Sequence, residues 1–423
     1  MKSKIDGKKI VKKKKKKRNK KSFLSLFLGE KNSYTFSDVF IITLLSLVIG
    51  IFASFSIITI FTGGRNIFKM SKDLGKFYDV YQVLVDNYYG EVDKEDLINE
   101  AISGMASSVG DTYTSYIDED TTSAFDQLVS GKYEGIGCTI TLDEDDKSIK
   151  IVEVYKNSPA DKAGLVTGDI IKKVDFVDAS EVGITKLSEY IRNEADDNIT
   201  MVIVRDGKES TVNLLRGKVE IPAVSSKIYE TNNKKIGYIN LSIFSSVSAK
   251  QFKKELSKLE ANNIDGLVVD VRDNTGGYLT SVTDIVSQIL PKGEAIYQVQ
   301  KGKKKKVVKD KTLEKREYPI AVIVNSGSAS ASEIFAAAIK ESYNGYVVGT
   351  KTYGKGTVQQ VKKLDDGSMI KYTIENWLTP KGNWINEVGV EPSDTVKLSD
   401  EYYNSPNEKN DNQLQKALEL VSK

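Results

Sequence analysis

The chain has 423 residues, with 61 basic and 58 acidic residues, one cysteine and no histidine. This length predicts two or three folded units. The absence of histidine excludes a Ser-His-Asp triad, a Cys-His pair and every histidine-ligated metal site, and a lone Cys138 excludes an intrachain disulfide. Nucleophilic catalysis would therefore need a lysine, a carboxylate or the chain amine as its base. We expect neither a metal nor a cofactor.

The positive charge is concentrated at one end. Residues 1–22 hold 13 basic residues and one acid, Asp6, which leaves 48 basic and 57 acidic residues for the rest. A mildly acidic body is a poor partner for nucleic acid, and none is expected. We interpret residues 1–38 as a basic cytoplasmic segment whose lysine run, Lys12 to Lys17, lies near anionic lipid headgroups.

An uncharged, strongly apolar run extends from Val39 to Gly64. It is long enough to cross a bilayer, and the lysines before it favour a cytoplasmic N-terminus. Residues 39–64 are therefore predicted to be a signal anchor in a single-pass protein of the cell membrane, with everything after Arg65 exported. A cleaved signal peptide and a buried core helix remain alternatives.

The exported part divides into regions of different pattern. Residues 65–130 read as helical, with Phe77, Val80 and Leu84 at helical spacing. Residues 131–217 contain many short β-type runs and one or two helices, which favours a small barrel-like domain. Residues 218–400 alternate between strands and helices, and residues 401–423 form a helical tail whose last helix is a candidate for a subunit contact. The fold class is thus a multi-domain α/β (α+β) protein whose main domain has a mixed sheet flanked by helices.

A buried strand ends at Asn325 and is followed by small residues and a helix. Ser330 and Glu333 have capping-box spacing at the start of that helix. A serine there lies at the positive end of the helix dipole, beside unpaired N–H groups that can bind a developing oxyanion. The pattern fits an acyl-transfer nucleophile, and an ordinary helix cap fits it equally well.

Two further segments follow buried strands. Lys355 lies between two glycines, and burial would lower its pKa toward the range of a general base. Gly276 and Gly277 could present N–H groups to an oxyanion. Read alone, the first is a loop lysine and the second a plain turn.

Together these segments resemble the carboxy-terminal processing proteases, also called tail-specific proteases. The resemblance covers roughly residues 75–395, in the family's order. The matching strings are GDTYTSY, YEGIGCTI, NSPADKAGL, VVDVRDNTGGYL, SGSASASEIFAAAIK, GKGTVQ and LTPKGNWINEVGVEPS.

The resemblance implies roles for individual residues. Ser330 aligns with the nucleophile, Lys355 with the general base, and Gln359 with the residue that orients the lysine. The oxyanion hole would be formed by Gly276 or Gly277 together with the N–H of Ala331. Thr275 stands where many members have proline, and GDTYTSY replaces a GDPYT form; neither departure is expected to touch the catalytic atoms.

The resemblance also identifies residues 131–217 as a PDZ domain and residues 218–400 as a serine protease core. Backbone N–H groups of a carboxylate-binding loop would hold a peptide C-terminus while the peptide adds a strand to the sheet edge. Arg205 is a candidate for coupling this domain to the active site, and Cys138 is expected to be a buried apolar residue. The residues of the loop are Gly135, Ile136, Gly137 and Cys138.

The resemblance thus implies a membrane-anchored serine endopeptidase that cleaves exported or membrane proteins near their C-terminal end. Its partners would be polypeptides with free C-termini, and a homo-oligomer is left open. A catalytically silent PDZ scaffold and a serine–lysine amidase that is not a protease are the alternatives. The complete set of Ser330, Lys355 and Gln359 argues against the scaffold.

Overall fold

A computed structural model describes residues 35–61, 72–194 and 196–423. The chain divides into two compact units, residues 1–94 and residues 95–423. Most of the basic segment and the ends of the anchor and helical region proposed from the sequence, residues 1–34 and 62–71, lie outside the described residues.

The described part of the first unit is helical. Helix α1 has a stretch, Phe36–Ser54, that is long and apolar enough to cross a membrane, and none of this stretch is buried within the protein. Its large apolar side chains, such as Leu45 and Ile49, are exposed. Helix α2 is amphipathic and ends at Asn87, where an irregular segment begins.

The described helices and strands follow a βα pattern after residue 220. The helices are α1 Phe36–Phe61, α2 Lys72–Asn87, α3 Lys94–Ser107, α4 Glu119–Ser130, α5 Pro159–Lys162, α6 Ala179–Glu189, α7 Ser248–Glu260, α8 Leu279–Val286, α9 Ala331–Ala338, α10 Asp400–Asn404 and α11 Asn412–Val421, with π-helical turns at Tyr190–Glu194 and Ile339–Tyr343. The strands are β1 Ser115–Ile117, β2 Lys132–Gly135, β3 Cys138–Leu142, β4 Ile149–Val154, β5 Ile170–Val174, β6 Val177–Asp178, β7 Asn198–Arg205, β8 Lys208–Leu215, β9 Gly217–Glu220, β10 Val224–Thr231, β11 Lys234–Leu241, β12 Gly266–Asp270, β13 Ala295–Lys301, β14 Lys304–Lys309, β15 Ile320–Val324, β16 Tyr346–Gly349, β17 Thr357–Lys363, β18 Met369–Leu378 and β19 Asp394–Thr395.

The central sheet has the order β10-β11-β12-β15-β16-β19. Only β10 and β11 pair antiparallel; the other neighbours are parallel. Strands β12 and β15 consist of fully buried residues, because helices cover both faces of a parallel sheet and continuous apolar runs suit that position. The carboxyl ends of β12, β15 and β16 therefore meet at one edge of the sheet.

Each face of this sheet has its own core. On one face, α7, α8 and α9 pack over residues such as Val269 and Val322. On the other, Leu414, Ala417 and Val421 of α11 pack against Ile236 and neighbouring strand residues. The apolar face of the last helix is thus covered by its own chain, and a subunit contact through this helix stays a prediction.

A second sheet lies beside the central one. Its strand order is β1-β18-β13-β14. Strands β1 and β13 pair with different parts of one side of β18, and β17 pairs with the opposite side. Strands β17, β14 and β1 each pair with a single described strand, so β17 and β14 both have an unpaired edge. Strand β17 leads directly away from the segment that contains Lys355.

The smaller domain has a sheet of order β3-β4-β5-β7-β8 around its own apolar core. Strands β2 and β9 pair with each other and form the two connections between this domain and the larger one. Strand β3 is an edge strand that packs against α6. An open strand edge beside a helix is the arrangement to which PDZ domains add a peptide strand.

Candidate active site

Ser330 lies between β15 and α9, at the carboxyl edge of the central sheet. Its backbone has φ +54° and ψ −112°, a region that non-glycine residues rarely adopt. Such strain persists only where the surrounding structure holds it. Ser330 is the residue before α9, so the helix dipole and the N–H of Ala331 are directed at its surroundings.

A buried carboxylate holds the backbone of both predicted catalytic residues. Glu333 Oε2 accepts hydrogen bonds of 2.8 Å from the backbone N–H of Ser330 and of 2.8 Å from that of Lys355. Glu333 Oε1 accepts bonds from Thr352 Oγ1 at 2.6 Å and from the N–H of Gly354 at 2.7 Å. Burial raises the pKa of Glu333, while these four hydrogen bonds oppose the rise.

Lys355 follows β16 in an irregular segment. Its carbonyl accepts a 2.7 Å hydrogen bond from the Trp377 indole N–H. The flanking glycines allow the close approach that the sequence suggested: a Cβ on Gly354 would lie 3.0 Å from the N of Gly389, and one on Gly356 would lie 2.8 Å from Asn386 N. The segment therefore holds the lysine against neighbouring backbone.

The surroundings of the Lys355 side chain shift its pKa downward. Burial lowers its pKa, and the positive charge of Lys371 lowers it further, whereas Asp111 and Glu333 oppose the shift. The ammonium nitrogen lies 4.6 Å from the centroid of the Tyr113 ring. A lowered pKa eases the loss of the ammonium proton, and only the neutral amine can act as a general base.

Gln359 is held by two threonine hydroxyls. Its Nε2 donates to Thr357 Oγ1 at 2.8 Å and to Thr373 Oγ1 at 3.1 Å. Thr373 Oγ1 in turn donates to Asp111 Oδ2 at 2.6 Å. Gln359 thus belongs to a hydrogen-bond network that reaches Asp111, a residue whose charge acts on Lys355.

Two residues of the GDTYTSY segment lie in the surroundings of Lys355. Its Tyr113 ring contacts the Lys355 ammonium, and its Asp111 carboxylate binds Thr373. The strand that follows, β1, pairs with β18 and carries this segment into the site. The sequence offered a signal, the GDTYTSY motif itself, but no spacing rule links it to a lysine more than 200 residues away.

The paired glycines lie against Ser330. A Cβ on Gly276 would be 2.9 Å from Ser330 Cβ and 3.1 Å from the N of Ala331, so only glycine fits there. The N–H of Gly276 donates to the Asn274 side chain at 2.9 Å. This leaves the N–H of Gly277 as the better candidate to join that of Ala331 in an oxyanion hole.

Asn274 links three segments of the site, a role that sequence reasoning missed. It is fully buried, and its Nδ2 donates to the Leu241 carbonyl at 2.7 Å. Its own carbonyl accepts bonds from Ser332 Oγ at 2.7 Å and from the N–H of Ala329 at 3.1 Å. The glycine turn is thereby held against the loop that contains Ser330.

The predicted carboxylate-binding loop connects β2 to β3 in the smaller domain. The carbonyl of Gly137 accepts bonds from the N–H of Tyr155 and from Ser158 Oγ, which fix the loop. Burial raises the pKa of Cys138 to about 12, so its thiol stays protonated and unreactive. The loop leads into the open edge of β3, and Ile136 within it is buried.

Arg205 binds within the smaller domain. Its guanidinium makes two hydrogen bonds, of 2.6 and 2.7 Å, to the buried carboxylate of Asp169, and a third to the Gly164 carbonyl. This side chain supports the sheet of its own domain, and its coupling role stays a prediction. In the part of the chain that the structure describes, no group of three or more His, Cys, Asp or Glu side chains could hold a metal ion.

Three family models match consecutive parts of the chain. The PDZ domain matches residues 150–205, and peptidase family S41 matches residues 235–396. The N-terminal domain of the activating protease CtpB matches residues 59–121. The PDZ match falls on the small domain, and the S41 match covers most of the central sheet and the segments that contain Ser330 and Lys355.

Curated relatives and a solved structure agree with these matches. The carboxy-terminal processing protease CtpB of Bacillus subtilis (strain 168) is 37% identical over 80% of this chain and 71% of its own length. CtpA of the same organism is 34% identical over 77% of this chain and 69% of its own. A putative S41 protease from Bacteroides fragilis NCTC 9343 shares the fold, with a TM-score of 0.51 at 15% identity, over 81% of this chain and 96% of the other. The chain therefore belongs to the carboxy-terminal processing proteases of peptidase family S41.

Proposed function

We propose that this chain is a serine peptidase in which Ser330 is the nucleophile and Lys355 the general base. The observation that carries the proposal is the shared contact of Glu333 Oε2, which accepts the backbone N–H of both residues and draws two distant segments to one point. The lowered pKa of Lys355 supports its role as the base.

We assign one group to each step of the reaction. Neutral Lys355 takes the proton of the Ser330 hydroxyl as the oxygen attacks the peptide carbonyl. The N–H groups of Gly277 and Ala331 stabilise the oxyanion. The lysine then gives its proton to the leaving amine, and water hydrolyses the acyl-enzyme. Gln359, fixed by Thr357 and Thr373, orients the lysine.

The remaining parts select and localise the substrate. The Gly135–Cys138 loop holds the C-terminal carboxylate of an exported polypeptide, which adds a strand to β3. Arg205 supports the domain that receives it. Helix α1 anchors the chain in the cell membrane with its N-terminus in the cytoplasm, and the basic residues before the helix favour that orientation.

The test compares the full chain with its Ser330→Ala and Lys355→Ala variants on an unfolded protein that has an apolar C-terminus. We expect cleavage by the wild type alone, and thermal unfolding of the variants within a few degrees of the wild type. Cleavage by Ser330→Ala would contradict the assignment of Ser330 as the nucleophile. Wild-type-like cleavage by Lys355→Ala would contradict the assignment of Lys355 as the base.

A result without cleavage would separate the remaining functions. If the wild type binds tail peptides but hydrolyses neither protein nor ester, the silent scaffold replaces the protease. If it hydrolyses small amides but no polypeptide, the amidase replaces it. Inhibition by a metal chelator would contradict the lysine mechanism.

A further inference from the structure

Strand β17 has one unpaired edge beside the candidate active site. Strand β17 pairs with β18 on one side, and no other described strand pairs with it. We propose that this edge binds the substrate polypeptide as an added β-strand, next to the scissile bond. This inference rests on the proposed function, because it assigns part of the substrate's path through that site.

The phase of the β17–β18 ladder shows which backbone groups are free. The N–H of Leu364 donates to the Ser368 carbonyl at 2.8 Å, which makes the next pair, Lys363 with Met369, a non-hydrogen-bonded one. In an antiparallel ladder such pairs alternate with hydrogen-bonded pairs, and residues of the former turn their N–H and C=O away from the partner. The outward residues of β17 are therefore Gln359, Val361 and Lys363.

These outward groups begin close to two of the candidate catalytic residues along the chain. Gln359 is itself one of the three outward residues, and Lys355 precedes the strand by two positions. From Thr357 to Val361 the strand carries no charge, whereas Lys362 and Lys363 follow at its far end. Charged residues normally protect an exposed edge against unwanted pairing. Here the part nearest the site is left unprotected.

The far end of the edge leads toward the smaller domain. Lys363 and Gly367 line an open cavity of about 440 Å³ together with Lys132 and Tyr133 of β2. Strand β2 runs into the loop predicted to hold a peptide carboxylate. One extended chain could thus contact that loop and the edge of β17. The occupant that fits is an unfolded polypeptide, because strand addition recognises main-chain groups.

A proline at an outward position tests the edge. Val361→Pro removes an outward N–H and places a ring where the added strand would lie, while the ladder to β18 keeps its bonds. Its matched control is Val307→Pro on β14, another strand of the same sheet that has an unpaired edge. Val307 is 42% exposed and Val361 40%. Val307 pairs with Gln298 of β13 and, like Val361, turns its backbone N–H and C=O away from the partner strand.

We expect Val361→Pro to lower kcat/KM for an unfolded protein by at least about tenfold, the effect of one lost hydrogen bond and a clash. Val307→Pro should remain within twofold of the wild type. Both are measured on the full chain in detergent micelles. Equal activity of the two variants would overturn the proposal.

A second measurement needs only the wild-type enzyme. Peptide substrates are methylated at one backbone nitrogen at a time along the region that would lie on β17. Because only alternate residues of an added strand bond to the edge, methylation should impair cleavage at every second position. Uniform tolerance, or loss without alternation, would overturn strand addition while leaving Ser330 chemistry intact. Failure of the wild type to cleave any peptide would overturn both proposals.

Discussion

At the scale of single residues, Glu333 is the group on which the site geometry depends most directly. It has no exposed surface, yet four donors converge on its two oxygens. Two of these donors belong to Ser330 and Lys355, which are 25 positions apart. A carboxylate suits this place because it accepts on both oxygens and donates on neither.

Glu333→Gln tests this role with little change in volume. Whichever way the amide is turned, its NH₂ group faces two donors that lose their acceptor. We expect the unfolding free energy to fall by about 3 kcal/mol and kcat to fall about 100-fold, since small displacements of catalytic groups have effects of that size. The control is Glu341→Gln, near the exposed end of the same helical segment. Equal losses in both variants would contradict the assignment.

The pH dependence of the reaction reports on Lys355. Its pKa is lowered by burial and by the charge of Lys371. Because the amine must be neutral to accept the serine proton, activity is lost as the pH falls through this pKa. Lys371→Gln removes a positive neighbour and raises the pKa, so the acidic limb of the kcat/KM profile should move to higher pH. The measurement is kcat/KM as a function of pH for Lys371→Gln and, for comparison, for Lys305→Gln, which replaces an exposed lysine of β14. If the acidic limb does not move in Lys371→Gln, the charge of Lys371 does not affect the pKa of the base.

At the scale of secondary-structure elements, the turn after β12 is shaped by the loop before α9. Gly276 has φ +106°, and a Cβ there would lie 2.8 Å from the Ala329 carbonyl and 2.9 Å from Ser330 Cβ. Gly293 has a similar φ of +95° but open space around it. Alanine substitutions at these two glycines therefore separate the effect of backbone strain from the effect of contact with the site.

Gly276→Ala should lose both stability and activity, whereas Gly293→Ala should lose only stability. The shared backbone strain amounts to about 1–2 kcal/mol. The additional contacts at Gly276 push the turn away from Ser330, and we expect kcat to fall by about 100-fold. Thermal unfolding and steady-state kinetics of both variants measure the two effects. Full activity of Gly276→Ala would show that the turn does not contribute to the oxyanion hole.

Some elements could be predicted from the sequence because their residues satisfy a local rule. Buried strands such as Gly266–Asp270 and Ile320–Val324 are continuous apolar runs, and the start of α9 follows from capping chemistry. The contact between Tyr113 and Lys355 follows no such rule, because the pairing of β1 with β18 brings them together. The hydrogen bonds of Asn274 are equally non-local, since they join three separate segments of the chain.

At the scale of the whole molecule, the order of regions could be predicted from changes in pattern along the chain. The PDZ match and the S41 match fall within the regions proposed from the sequence. The location of α11 could not be foreseen, because an amphipathic helix does not reveal which surface covers its apolar face. It completes the second face of the central sheet.

The anchor can be tested on the full chain by separating its two membrane-binding features. High salt screens the lysine arm, since the Debye length falls to about 3 Å at 1 M, but it leaves the burial of an apolar helix intact. We expect the chain to stay in the membrane fraction at high salt. Leu45→Arg combined with Ile49→Arg should release it, because each charge adds about 3 kcal/mol to insertion. Replacement of Lys12 to Lys17 by glutamine, the control, should leave retention unchanged. Release of the wild-type chain by salt alone would instead assign membrane binding to the lysine arm.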